Sequence, residues 1–150
     1  MGGSNSKNSD HVCFEDMSEK NVKIVYVWVG IRTLLPWYLS GANHWSVILK
    51  LDNGQYACVQ KHDSGKTDCV IKNSLKEASL RTWGIGDKVR LSEYGQCSKS
   101  WEVFRADLPQ ESYYVVILID CQDFARQLVG QLTDKLVGVW PIEDGPVFYE

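Results

Sequence analysis

The sequence predicts an α+β domain in which a small antiparallel sheet packs against a helix that carries a cysteine at its N-terminus. Two observations point to the sheet. Runs rich in Val, Ile, Trp and Tyr recur along the first half of the chain, and Asp52-Asn53-Gly54 sits between two of them as a hairpin turn. A third points to the helix: Asp120-Cys121 is followed by Phe124, Leu128 and Leu132 at a spacing of four, which forms one apolar helical face.

Taken in order, residues 1–20 are dominated by Ser, Asn, Asp and Lys and read as a flexible arm, leaving residues 21–150 as the folded domain. Lys23–Ile31 reads as a strand, and Pro36 with Ser40-Gly41-Ala42-Asn43 interrupts the chain after it. His44–Leu51 and Gln55–His62 read as a hairpin. Asp63-Ser64-Gly65-Lys66 is a polar loop before a short strand near Cys69-Val70-Ile71. Ser74-Leu75-Lys76-Glu77 has capping-box spacing, which predicts a helix running to about Trp83 with Gly84 ending it. Lys88–Leu91 and Trp101–Phe104 are candidate strands, and the continuous apolar run Tyr113–Ile119 reads as a buried strand. The C-terminal stretch from Val137, with Pro141 and Pro146, has no clear periodicity.

Composition narrows the function classes. The chain has 150 residues, 44% of them hydrophobic and 23% charged, which suits one domain with its own core. A net charge of -3 without a Lys/Arg run argues against nucleic-acid binding. Five cysteines at irregular spacings, with no apolar leader before them, point to a reducing compartment and free thiols. There is no Cys-x-x-Cys pair, so neither a structural zinc site nor any other cofactor is expected. Gly65-Lys66-Thr67 lacks the first glycine of a P-loop, since Gln60 stands there, and no Gly-x-Ser-x-Gly elbow occurs.

The first residues carry a separate signal. Met1-Gly2-Gly3-Ser4-Asn5-Ser6 fits the pattern for N-myristoylation on Gly2. The expected location is cytoplasmic, with anchoring at a membrane surface if Gly2 is acylated. One myristoyl chain binds membranes only marginally, so a second signal such as a palmitoylated Cys13 would be needed.

The chemistry concentrates at Cys121. Asp120 is a good N-cap residue, which would make Cys121 the first helical residue. A thiol there faces unpaired N–H groups and the positive end of the helix dipole, and both favour the thiolate. The same N–H groups can hold a developing oxyanion. The base must come from the histidines, and His11 lies in the arm, leaving His44 and His62. A three-residue loop at Asp52-Asn53-Gly54 pairs Leu51 with Gln55 and puts His62 opposite His44; a two-residue turn puts Asp63 there instead. Either residue, or Gln60, can fix the tautomer of His44, the part played by the third member of a triad. The bland alternatives are a buried, inert Cys121 and a solvated His62 at a strand end.

The hairpin opening His44-Trp45 and the junction Asp120-Cys121-Gln122-Asp123-Phe124 resemble the lecithin:retinol acyltransferase-like group, relatives of the NlpC-type peptidases. The likeness runs over about residues 43–132 but is carried by these short motifs. The group has a circularly permuted papain-like fold, with the His strand before the Cys helix. The resemblance implies Cys121 as nucleophile, His44 as base, His62 as orienting residue and Phe124 as a packing residue. It implies a thiol hydrolase or acyltransferase (amidase, peptidase or phospholipase-like) acting on an acyl lipid or a peptide-like amide. Asp120 stands where the group has Asn, and a carboxylate beside a thiolate raises the thiol pKa. An inactive binding or adaptor domain of the same fold, tethered through the arm, is the alternative.

Overall fold

A computed structural model describes residues 21–34, 43–61, 66–108, 117–138 and 141–150, with the backbone alone for 117–120. Its centre is one six-stranded antiparallel sheet in the order β4-β3-β2-β1-β5-β6. The strands are β1 (Lys23–Thr33), β2 (Asn43–Leu51), β3 (Tyr56–Lys61), β4 (Thr67–Lys72), β5 (Lys88–Ser100) and β6 (Val147–Tyr149). Three helices accompany them: α1 (Leu75–Ser79), α2 (Trp101–Ala106) and α3 (Ile117–Thr133). The protein is therefore α+β, with an antiparallel sheet against a long helix.

The hairpin forms as its turn chemistry dictates. Gly54 adopts φ +89, a conformation that side-chain-bearing residues avoid, and Leu51 N–H donates to Gln55 O at 2.9 Å. This three-residue loop sets the pairing Val47↔Val59, Ile48↔Cys58, Leu49↔Ala57 and Lys50↔Tyr56. It is the register that would continue to His44 and His62, but His62 and Asp63 lie outside the described residues.

Strand alternation divides the core in two. Val27, Val29, Ile31, Trp45, Val47, Leu49, Leu51 and Val59 face the side covered by α2 and α3. Trp28, Ile48, Cys58, Val89 and Leu91 face the other side, where Ala78 of α1 packs. On α3, Cys121, Phe124, Ala125, Leu128, Val129 and Leu132 are buried at spacings of three and four, so one stripe meets the sheet. Each aliphatic side chain so buried contributes about 1.5–3 kcal/mol.

Three sequence expectations are corrected, and an unassigned stretch is placed. Ile117–Ile119 is helical rather than the end of a strand, and Tyr113–Val116 lies outside the described residues. Trp101–Phe104 opens α2 instead of forming a strand: Ser100 caps it, accepting from Val103 N–H, while Trp101 and Phe104 are buried on one side. The helix capped by Ser74 ends at Ser79, well short of Trp83, because Leu80–Gly86 turns across the end of the sheet and Ile85 N–H donates to Thr33 O at 2.8 Å. The unassigned C-terminal stretch supplies β6, which pairs Lys88↔Tyr149, Val89↔Phe148 and Arg90↔Val147 along the edge of β5.

Candidate active site

His44 is the second residue of β2 and has no solvent exposure. Its place in the alternation, with Ser46 and Ile48, turns the imidazole toward α1 and the Leu80–Gly86 turn. The ring of Trp83 meets it edge-on, with centroids 5.4 Å apart and planes at 84°. Nearby, the hydroxyls of Ser46 and Thr82 lie 2.7 Å apart, which ties β2 to the same turn.

The partner of His44 is Gln60 on β3, with 2.9 Å between Nε2 and Oε1. The orientation of this amide follows from its other bonds. Trp83 N–H can only donate, and it donates to Oε1 at 2.9 Å. Arg81 O can only accept, and it accepts from Nε2 of Gln60 at 2.9 Å, as does Asp68 Oδ2 at 3.1 Å. Oε1 therefore faces the imidazole, so His44 Nε2 must carry a proton. In the neutral ring the lone pair is then on Nδ1, the nitrogen left to act as base. Of the sequence candidates for the orienting residue, Gln60 is the one seen bonded to His44.

Cys121 enters from α3. Gln122 Nε2 donates to Asn43 O at 3.3 Å, which brings this turn of α3 to the start of β2, beside His44 in sequence. Arg126 stacks over Trp45, 4.9 Å from the ring centroid, and also donates to Asp123 Oδ1 and Val137 O. These contacts hold the helix against β2 at that end. Cys121 is fully buried.

The expected position of Cys121 at the helix N-terminus is corrected. Because α3 begins at Ile117, Asp120 is a helical residue rather than the N-cap, and Cys121 is a turn inside. The unpaired first-turn N–H groups belong to residues 117–120. Activation by the helix end weakens over that turn.

The other described thiols have different surroundings. Burial pushes the Cys58 thiol up to about 12, and the Asp68 charge adds to it, against smaller opposing contributions from Ser46, Arg81 and Thr82. Desolvation also raises the half-buried Cys97, whose Sγ–H donates to Ile24 O at 3.4 Å. No disulfide joins the described cysteines, and no group of metal-binding side chains occurs among the described residues. Gly2 and Cys13, the candidate lipidation positions, and Trp37 lie outside the described residues. No helix among the described residues is long and apolar enough to cross a membrane.

Trp83 and Asp68 escaped the sequence reading. A signal for Asp68 existed: the polar loop after Lys61 pairs Lys61 with Thr67, and that puts Gln60 beside Asp68. Trp83 had no comparable signal, since its position depends on where α1 ends. Comparison with known proteins adds no relative: no family model, curated protein or solved structure matches the chain.

Proposed function

We propose that the chain is a thiol-dependent hydrolase or acyltransferase with a permuted papain-like arrangement, acting on an ester or amide through an acyl-enzyme on Cys121. The observation that carries this reading is the buried imidazole of His44, held by the Gln60 amide in the tautomer that leaves Nδ1 basic, at the end of the sheet where the Cys121 turn of α3 is anchored.

The imidazole and α3 belong to opposite faces of the sheet, so in this reading His44 and Cys121 would have to meet past the Asn43 end of β2. Nδ1 takes the thiol proton as Sγ attacks the carbonyl, and returns it to the leaving alcohol or amine. Gln60 accepts from Nε2–H throughout, so the imidazolium forms without losing its orientation. Water or an amine then attacks the thioester and frees Cys121. An acyl lipid or a peptide-like amide is the substrate class, and an acylated Gly2 would bring a membrane-borne substrate within reach of the domain.

The test is turnover of p-nitrophenyl acyl esters and acyl-amide probes, with intact mass of the protein after brief exposure. The reading expects an acyl adduct on Cys121 that is absent from Cys121→Ser and strongly reduced in His44→Ala. Adducts distributed over several cysteines, or retained in Cys121→Ser, would contradict it.

A second reading rests on a separate observation, the complete burial of Cys121 within a helix interior. It makes the protein a non-catalytic binding or adaptor domain in which the thiol is a small core side chain. That reading predicts no adduct at Cys121 with any acyl probe.

A further inference from the structure

We propose that Asp68 is a positioning residue for His44, acting through the side-chain amide of Gln60. The inference rests on the catalytic reading of His44 for its purpose, but its geometry stands independently. Asp68 lies on β4 next to Gln60 on β3, and its carboxyl is buried, with only 7% of the residue exposed. Its Oδ2 accepts from Gln60 Nε2 at 3.1 Å, and the other end of the same amide accepts from His44. Carboxylate, amide and imidazole therefore form one line of hydrogen bonds across three strands, from β4 through β3 to β2.

Such a line does two things. It prevents the amide from turning over, since a reversed Gln60 would present oxygen to both Asp68 and Arg81 O. It also places a negative charge behind the imidazole on the side away from Nδ1. A carboxylate in this position polarises the amide toward His44 and favours the imidazolium formed when the thiol gives up its proton. Burying a carboxylate is costly unless it is bonded, and Asp68 is bonded to the Gln60 amide.

Other charges face the same region. Arg32 on β1 is the register partner of His44, and its guanidinium donates to Gly86 O, Leu80 O and Thr82 O and pairs with Glu150. Arg81 follows α1, and both its charge and that of Asp68 are felt at Cys58 on β3. Arg32 opposes an imidazolium and is partly offset by Glu150. Asp68 is the charge joined to His44 through hydrogen bonds, so its removal has a defined sign. The imidazolium loses stabilisation, and its proton affinity falls by roughly threefold to tenfold, less than for direct contact because the charge acts through an amide.

The experiment follows the His44 ring nitrogens and the Gln60 side-chain amide by 15N NMR across pH, in wild type and in Asp68→Asn. In the wild type, neutral His44 should be the Nε2–H tautomer, with its Nε2 signal showing the hydrogen bond to Gln60. In Asp68→Asn the His44 titration midpoint should fall by about half to one pH unit. A neutral His44 protonated on Nδ1 in the wild type would overturn the inference whether or not the variant folds. An unchanged midpoint in a folded variant would overturn it too. Cys121 labelling that ignores His44 in the wild type would defeat the catalytic reading alone and leave these signals as they are.

Discussion

Replacing Gln60 by Leu is the most demanding perturbation of the proposed site, because four groups lose a partner at once. His44 Nε2–H and Trp83 N–H lose their acceptor, while Asp68 Oδ2 and Arg81 O lose their donor. Leu has a similar size, so the loss is of hydrogen bonds rather than of volume. His44 and Asp68 are buried and cannot turn to water, and losing a buried bond costs each about 1–3 kcal/mol. Trp83 and Arg81 are nearer solvent and recover part of their bonding. The added apolar burial returns about 1 kcal/mol. The net expectation is a loss of about 3 kcal/mol, a large part of the roughly 5–15 kcal/mol that holds a domain folded. Urea denaturation followed by tryptophan fluorescence measures it, as a midpoint lowered by about 1–2 M. The midpoint of His44 titration should move in the same variant. A loss below about 1 kcal/mol would refute the claim that this amide is the hub joining β2, β3, β4 and the Leu80–Gly86 turn.

Other perturbations separate the site from its scaffold. Ser100→Ala removes the cap of α2 and should cost about 1 kcal/mol in the same denaturation assay, leaving Cys121 labelling unchanged. Gly84→Ala would place a Cβ 2.5 Å from Thr33 O, a backbone atom fixed by bonds from Ile85 and Gly86 N–H. It should therefore displace the turn bearing Trp83, lowering stability by about 1–3 kcal/mol and slowing Cys121 labelling. Cys58 gives a pH signature. Burial lifts its thiol from the ordinary range to about 12 in the folded chain, so its contribution to stability is complete below the ordinary thiol range and is lost as pH rises toward 12. Over that window wild type should lose about 1.4 kcal/mol per pH unit more than Cys58→Ala, read from urea midpoints. Parallel curves for the two proteins would refute that burial.

The hairpin was the most readable part of the chain because its information is local. Asp52-Asn53-Gly54 marked the turn locally but left a two- or a three-residue loop open, and the Leu51–Gln55 bond shows the three-residue form. The apolar stripe from Phe124 to Leu132 was equally plain, since period and side-chain type agree. The failures occurred where tertiary structure decides. Tyr113–Ile119 is apolar throughout, and such a run has no period to tell strand from helix, so the start of α3 was set too late and Cys121 too near its end. Trp101, Phe104 and Leu108 are spaced as a helix after a capping serine, but Trp and Val in the same stretch favour a strand reading. For His44 the sequence offered three alternatives as bonding partner, and among the described residues Gln60 is the one bonded to it. Choosing Gln60 required knowing that the Arg81–Trp83 backbone lies against it, and that depends on a turn no local pattern specifies.

The central claim, that Cys121 and His44 work as a pair, is tested most directly by the rate of iodoacetamide labelling at each cysteine across pH, in wild type and His44→Ala, read by mass spectrometry. The account predicts that Cys121 alone remains reactive below the ordinary thiol range, about 8.5, and loses that advantage when His44 is replaced. A Cys121 that is inert, or labels like the other cysteines with the same pH dependence in both proteins, would contradict it.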